Sequence, residues 1–282
     1  MRENNTIKGI FHIILAAFFF SLMSVFVRMS GDLPTMQKAF FRNAIAVLIA
    51  FYLLKKSNTK ISFSKEALPS LILRSIFGTL GILCNFWALD HLGIADANML
   101  NKMSPFFAML MSIWILKEKP TMFEVGCILA AFIGVTFVVK PSSGIASYPA
   151  LIGLLGGLAA GTAYTYVRKL GKNGVPGPLI VLFFSIFSTL VTMPSMFVGY
   201  QPMSMKQWMI LLLAGASATG GQLNITAAYT YAPAAKISVY DYTQILFAAL
   251  FGIFIFHEMP DVYSIIGYVI IVSVAIVKYI RQ

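Results

Sequence analysis

Long apolar runs, separated by short turns that hold most of the charge, constrain this chain more than any other feature. The first, Gly9 to Val27, carries no formally charged side chain, and comparable runs recur to the C-terminus. About 20 apolar residues are what a helix needs to cross a bilayer. Of the 282 residues 59% are hydrophobic and 11% charged, and the mean hydropathy is +0.82. Soluble domains hold about 45–50% apolar and about 25% charged residues, so this chain cannot cover a water-facing surface. The runs predict helices at about 8–29, 35–55, 68–90, 94–116, 121–139, 148–170, 177–199, 206–231, 235–256 and 261–280. Turn chemistry separates them, at Asp32-Leu33-Pro34, Lys119-Pro120-Thr121, Lys140-Pro141-Ser142, Gly174-Val175-Pro176 and Met259-Pro260-Asp261. The expected fold is an all-α integral membrane protein with ten transmembrane helices and no extramembrane domain.

A formal charge of +11 would point a soluble protein towards nucleic acid. No nucleic-acid motif is present, and the basic residues cluster in loops, as the positive-inside rule requires of a membrane protein. With the N-terminus inside, the inner ends carry Arg2, Lys8, Lys55, Lys56, Lys60, Lys65, Lys117, Lys119, Arg168, Lys169, Lys172, Lys236, Lys278 and Arg281. The outer ends carry Arg28, Lys38, Lys140 and Lys206. Fourteen against four predicts a multi-pass protein of the cell (inner or plasma) membrane with both termini cytoplasmic. The first run is too long for a signal-peptide core and reads as an uncleaved span. Cys84 and Cys127 lie inside apolar runs and read as small packing residues, neither disulfide-bonded nor metal-ligating.

The two halves of the chain repeat. An offset of 140 residues places Ala88 on Ala228, Ala95 on Ala235, Phe107-Ala108 on Phe247-Ala248, Glu118 on Glu258 and Pro120 on Pro260. The same offset pairs Val27-Arg28 with Val167-Arg168, Thr79 with Thr219 and Gly81 with Gly221. Each half holds five spans, and an odd number turns the second half over. The expected domains are therefore two inverted five-helix repeats, 1–140 and 141–282, an arrangement typical of secondary transporters with a site near the midplane.

With "FFRNAIAVLIA" in the second span and the endings "ILKEKP" and "IFHEMP" in the fourth and ninth, the chain resembles the EamA-type drug/metabolite transporter superfamily. The resemblance covers nearly the whole chain. It implies a basket of ten helices with a central cavity lined by helices one, three, four, six, eight and nine. It also implies alternating access, and export or exchange of small metabolites such as amino acids, nucleotide-like compounds or cationic amphiphiles. Pro105 falls at a family-like position, but its repeat mate is Ile245, so the halves are not equivalent.

Charges at membrane depth cost roughly 2.5–3.5 kcal/mol each and need a cavity or a partner. In the fourth span Asn98, Asn101 and Lys102 share a helix face, one turn before Pro105, which leaves the Asn101 carbonyl without its usual amide. In the ninth span Tyr240, Asp241 and Gln244 form the corresponding face, with Asp241 on Asn101 and Tyr242 on Lys102 in the repeat. Lys102 reads as an anchor for a carboxylate or phosphate, and Asp241 as an amine partner or a proton-coupling group. The structural reading is that the two pair with each other and lock the bundle. Arg42, near the outer third of the second span, is a further candidate, with a carbonyl clamp as its structural reading.

Among the aromatics, Phe86, Trp87, Tyr164, Tyr229, Tyr240 and Tyr242 could build a stacking pocket, and Trp87, Tyr164 and Tyr240 are taken as site candidates. Asn85 and Gln222 are candidates beside Gly78, Gly81, Gly220 and Gly221, where amides also serve as inter-helix glue, the reading open to Asn224 too. Arg28 and Arg168 read as interface anchors, and the repeated acids Glu118 and Glu258 as structural or gating groups. Three scattered histidines, no nucleophile elbow and no phosphate loop leave an enzyme without parts, and no cofactor or metal is called for.

The expected function is secondary active transport of a small polar metabolite, an amino acid or an amino-acid-derived compound such as an adenosylmethionine-like solute, with protons as a candidate coupling ion. The alternatives are a passive facilitator or channel, and an exporter of drugs or cationic amphiphiles.

Overall fold

The computed structural model describes residues 2–56, 65–91, 100–139, 148–257 and 259–281. Ten helices of more than a few turns carry the described chain. They are α1 (Arg2–Met29), α2 (Thr35–Lys56), α3 (Leu68–His91), α4 (Ser104–Leu116) and α5 (Met122–Val139), then α6 (Tyr148–Lys172), α7 (Gly177–Thr192), α8 (Met205–Tyr231), α9 (Thr243–Phe256) and α10 (Val262–Ile280). Seven helical segments are long and apolar enough to cross a membrane, among the described residues. Of the rest, α4 and α5 are shorter apolar helices, and α8 carries polar Ser217, Thr219, Gln222 and Asn224 along its length.

Two expected helices are interrupted. The fourth span turns at Lys102 and Met103 before α4 begins, and the start of that span lies outside the described residues. The ninth is not one helix from 235: a turn at Ala234–Ile237 passes into a 3₁₀ segment, Ser238–Tyr242, before α9. The seventh also ends early, with a short turn at Ser195–Val198 after Pro194.

The strongest pairings join α1 to α8, α3 to α6, α5 to α10 and α2 to α7, followed by α4 with α6, α2 with α8, α1 with α9 and α3 with α7. Exchanging the halves maps each of these onto another of the set or onto itself. Helices α6 and α7 break the rule by also packing on α8, whereas their counterparts α1 and α2 make no comparable contact with α3 among the described residues. The broken contacts are those of one end, where α6 and α8 finish and α7 begins. There Ile13, Leu54, Leu71, Leu170, Ile180 and Ile225 belong to one buried apolar cluster. Among the described residues the helices are thus packed more tightly at that end, the sealed one, than at the other.

Small residues bring α6 against the broken fourth span. A Cβ added at Gly157 would lie 2.6 Å from the Leu100 carbonyl oxygen, and one at Gly161 2.7 Å from that of Ser104.

Candidate functional site

The two interruptions fall on repeat-mate positions but are built differently. Pro105 near the start of α4 offers no N–H, so the chain turns through a Met103 N–H bond to the Leu100 carbonyl at 3.1 Å. The second half has Ile245 instead and winds as 3₁₀, with the Thr243 N–H reaching the Asp241 and Tyr240 carbonyls. Proline is therefore not the common cause. Side chains from other helices serve the irregular backbone: Ser21 Oγ donates to the Gln244 carbonyl at 2.8 Å, and Lys278 Nζ to that of Ala235. Irregular backbone at membrane depth is tolerated where it lines a cavity or is buried in protein, and here it does both.

A cavity of about 170 Å³ lies between the interruptions. Eight of the expected site residues line it: Arg42, Asn85, Asn101, Lys102, Tyr164, Gln222, Asp241 and Gln244. Lys102 Nζ donates to Gln244 Oε1 at 2.5 Å and stands 3.8 Å from Asp241 Oδ2. Asp241 is 5% exposed, and its Oδ1 has no hydrogen-bond partner among the described residues. Tyr164 presents its ring to the cavity and stacks on buried Tyr229 behind it, with centroids 5.0 Å apart.

Two expected members do not reach the cavity. Trp87 stacks on His91, with centroids 3.9 Å apart, and meets Tyr148 edge-on, at the far end of α3. Tyr240 is buried elsewhere and its hydroxyl finds no partner among the described residues. The 3₁₀ winding explains this. From Tyr240 to Gln244 an α-helix would advance about 40° beyond one full turn, whereas 3₁₀ steps advance about 120° and carry Tyr240 off the face. The same winding brings Asp241 and Gln244, three residues apart, into register. Asn98, Glu258 and the Phe86 and Asp90 side chains lie outside the described residues. Tyr242 is buried without lining the cavity.

Sequence reasoning missed Arg74. On α3 it is 1% exposed, its guanidinium lies 3.8 Å over the Phe184 ring, and it lines the cavity. Its Nε has no partner among the described residues. A signal is present: of 21 Lys and Arg residues, fourteen and four fall at the inner and outer helix ends and loops of the expected spans, which leaves Arg42, Arg74 and Lys102. All three line the cavity.

The sealed end has its own network. Glu118 Oε1 accepts from Arg168 Nε at 3.2 Å and from Lys172 Nζ at 2.8 Å, and Arg168 Nη1 donates to the Thr230 carbonyl at 2.8 Å. Arg168 is therefore a clamp joining the C-terminal ends of α4, α6 and α8, not the interface anchor its position suggested. Its repeat mate Arg28 lies over the Phe256 ring at 4.1 Å. Lys278, counted with the inner loop, is instead 1% exposed. Asn224 does act between helices, pairing with His12 Nδ1 at 2.7 Å.

Residues 7–140 and 147–279 each match the EamA-like transporter family. The pseudopaline exporter CntI of Pseudomonas aeruginosa is 32% identical over 273 residues, covering 95% of this chain and 95% of that protein. Human solute carrier family 35 member G1 is 24% identical over 290 residues, covering 97% of this chain and 79% of its own. A crystal structure with 16% identity superposes with a TM-score of 0.80 over 98% of this chain and 96% of that one, a likeness of fold.

Proposed function

The chain belongs to the EamA-like transporter family, and on that premise we propose that it is a secondary active exporter or exchanger of a small amino-acid-derived metabolite. It is a multi-pass membrane transporter and not an enzyme. The observation that carries the reading is the Lys102–Gln244–Asp241 cluster, assembled in one cavity from the two interrupted spans. At 3.8 Å the ion pair is long, so a solute bearing an ammonium and a carboxylate can replace it charge for charge: Asp241 Oδ1 takes the ammonium and Lys102 the acid. Export accords with the exporter at 32% identity. No phosphate-binding loop is present, so a gradient or exchange drives transport.

One sealed end and one loose end support alternating access over a passive pore, since a channel needs both ends open together. The cavity volume, about 170 Å³, is below the roughly 300–1,000 Å³ of pockets that take drug-sized ligands, which argues against bulky drugs. Three cations against one carboxylate among the described lining residues argue against cationic amphiphiles and against a sulfonium-bearing solute.

Reconstituted protein should show saturable counterflow of amino-acid solutes without conductance bursts. Lys102→Ala should weaken carboxylate-bearing solutes by about 10-fold to 100-fold, the range of a charge-assisted hydrogen bond, and spare their esters. Equal loss for acids and esters makes Lys102 structural. Asp241→Asn should abolish accumulation driven by an imposed pH gradient while exchange persists. Unchanged accumulation removes Asp241 from coupling.

A further inference from the structure

Among the described residues the charge in the cavity does not balance. Lys102 and Asp241 offset one another, which leaves Arg42 and Arg74 facing the same space. Arg74 is 1% exposed, and neither arginine has a carboxylate within ion-pair distance among the described residues. Among the described residues Arg42 reaches the Met23 sulfur, at 3.9 Å, a weak acceptor. Arg74 has the Phe184 face, which holds the guanidinium plane and satisfies none of its N–H donors in the plane.

Arg168 shows what a structural arginine looks like in this molecule, with a carboxylate at 3.2 Å and a backbone carbonyl at 2.8 Å. Arg74 has neither. Buried cations left unpaired are strongly unfavourable, so chains keep them where an anion is supplied from elsewhere. Local packing keeps Arg74 in place: a Cβ at Gly78 would run into its Nη1 and into Phe184, so the absence of a side chain there gives the guanidinium its room.

We propose that Arg42 and Arg74 form a second anion subsite, so that the preferred solute carries two carboxylates besides its amine. One carboxylate meets Lys102 and the ammonium meets Asp241, as in the transport reading on which this assignment rests. The second carboxylate meets the arginine pair, whose planar guanidinium groups match carboxylate geometry. The substrate class is an acidic amino acid or an amino acid extended by a further carboxylate, carried as an anion.

The test uses purified full-length protein in detergent, with glutarate and glutaramide as probes at constant ionic strength. Glutarate at about ten times its Kd should raise the Tm by about 3 °C, and glutaramide should not. Arg74→Gln should erase the glutarate shift and raise the Tm of the ligand-free protein, because it removes an unpaired charge. Arg42→Gln, at a less buried position, should also erase the shift. The subsite is overturned if glutarate does no better than glutaramide. It is equally overturned if Arg74→Gln lowers the ligand-free Tm and leaves the glutarate shift intact. The two readings fail separately in proteoliposomes: glutarate binding without counterflow of any amino acid ends the transport reading alone, whereas counterflow with no preference for glutamate over glutamine ends the subsite alone.

Discussion

Gly78 sits one turn along α3 from Arg74, and its missing side chain is where the guanidinium rests against Phe184. Gly78→Ala removes that space. A mid-helix alanine is itself worth about 1 kcal/mol over glycine, so the fold should survive with stability changed by no more than about that. Transport should fall by at least about tenfold if the displaced arginine binds solute, the loss expected of one charge-assisted contact. Uptake and thermal unfolding on the same preparation check this, and a large drop in Tm with normal uptake would contradict it. Residues of this kind differ in how well a sequence discloses them. Lys102, Asp241 and Gln244 were legible because charged and amide groups are costly in an apolar span. Arg74 was as costly and lay as deep in its span as Asp241, but without charged or amide neighbours one turn away on its face, and only subtraction of the loop cations isolates it. Trp87 and Tyr240 were misplaced because an aromatic ring is equally at home against lipid, a neighbouring helix or a cavity.

At the scale of elements, the sealed end depends on contacts that the repeat does not duplicate. Arg168 ties α6 to Glu118 and to the Thr230 carbonyl on α8, while α1 and α3, the counterparts of α6 and α8, remain apart among the described residues. Loss of that clamp should move the population towards the opposite conformation. Such networks couple states by about 1–3 kcal/mol, or about 5-fold to 150-fold in population. In a background lacking Cys84 and Cys127, a Met23→Cys probe lines the cavity and should react with an impermeant thiol reagent added from outside. Arg168→Gln should slow that reaction by at least about fivefold. No change in labelling would make Arg168 a passive tie. The interruption of the ninth span belongs to this scale too: composition there reads as one continuous helix, and only packing against α1, α4 and α5 winds it as 3₁₀.

For the whole molecule, both family matches span five-helix halves, and the strongest helix pairings survive exchange of those halves. Ten spans return the chain to its starting side, and the loop cations favour the cytoplasm. Alkaline phosphatase fused to the C-terminus of the full chain should therefore be inactive, and a fluorescent protein fused there should fold and fluoresce. An active phosphatase fusion would reverse the topology. The sequence by itself determined that the chain is a helical membrane protein, that it is built twice over, and that its fourth and ninth spans carry the polar groups. Those properties follow from hydrophobic runs, turn residues and spacing, which are local and one-dimensional. Only the tertiary structure decided which faces of those spans look at each other, that Arg74 joins Arg42 there, and which end is sealed. Helix rotation and the closing of one end depend on packing between segments far apart in the chain. Two packings of the same segments can differ by only a few kcal/mol, a balance that no residue pattern records.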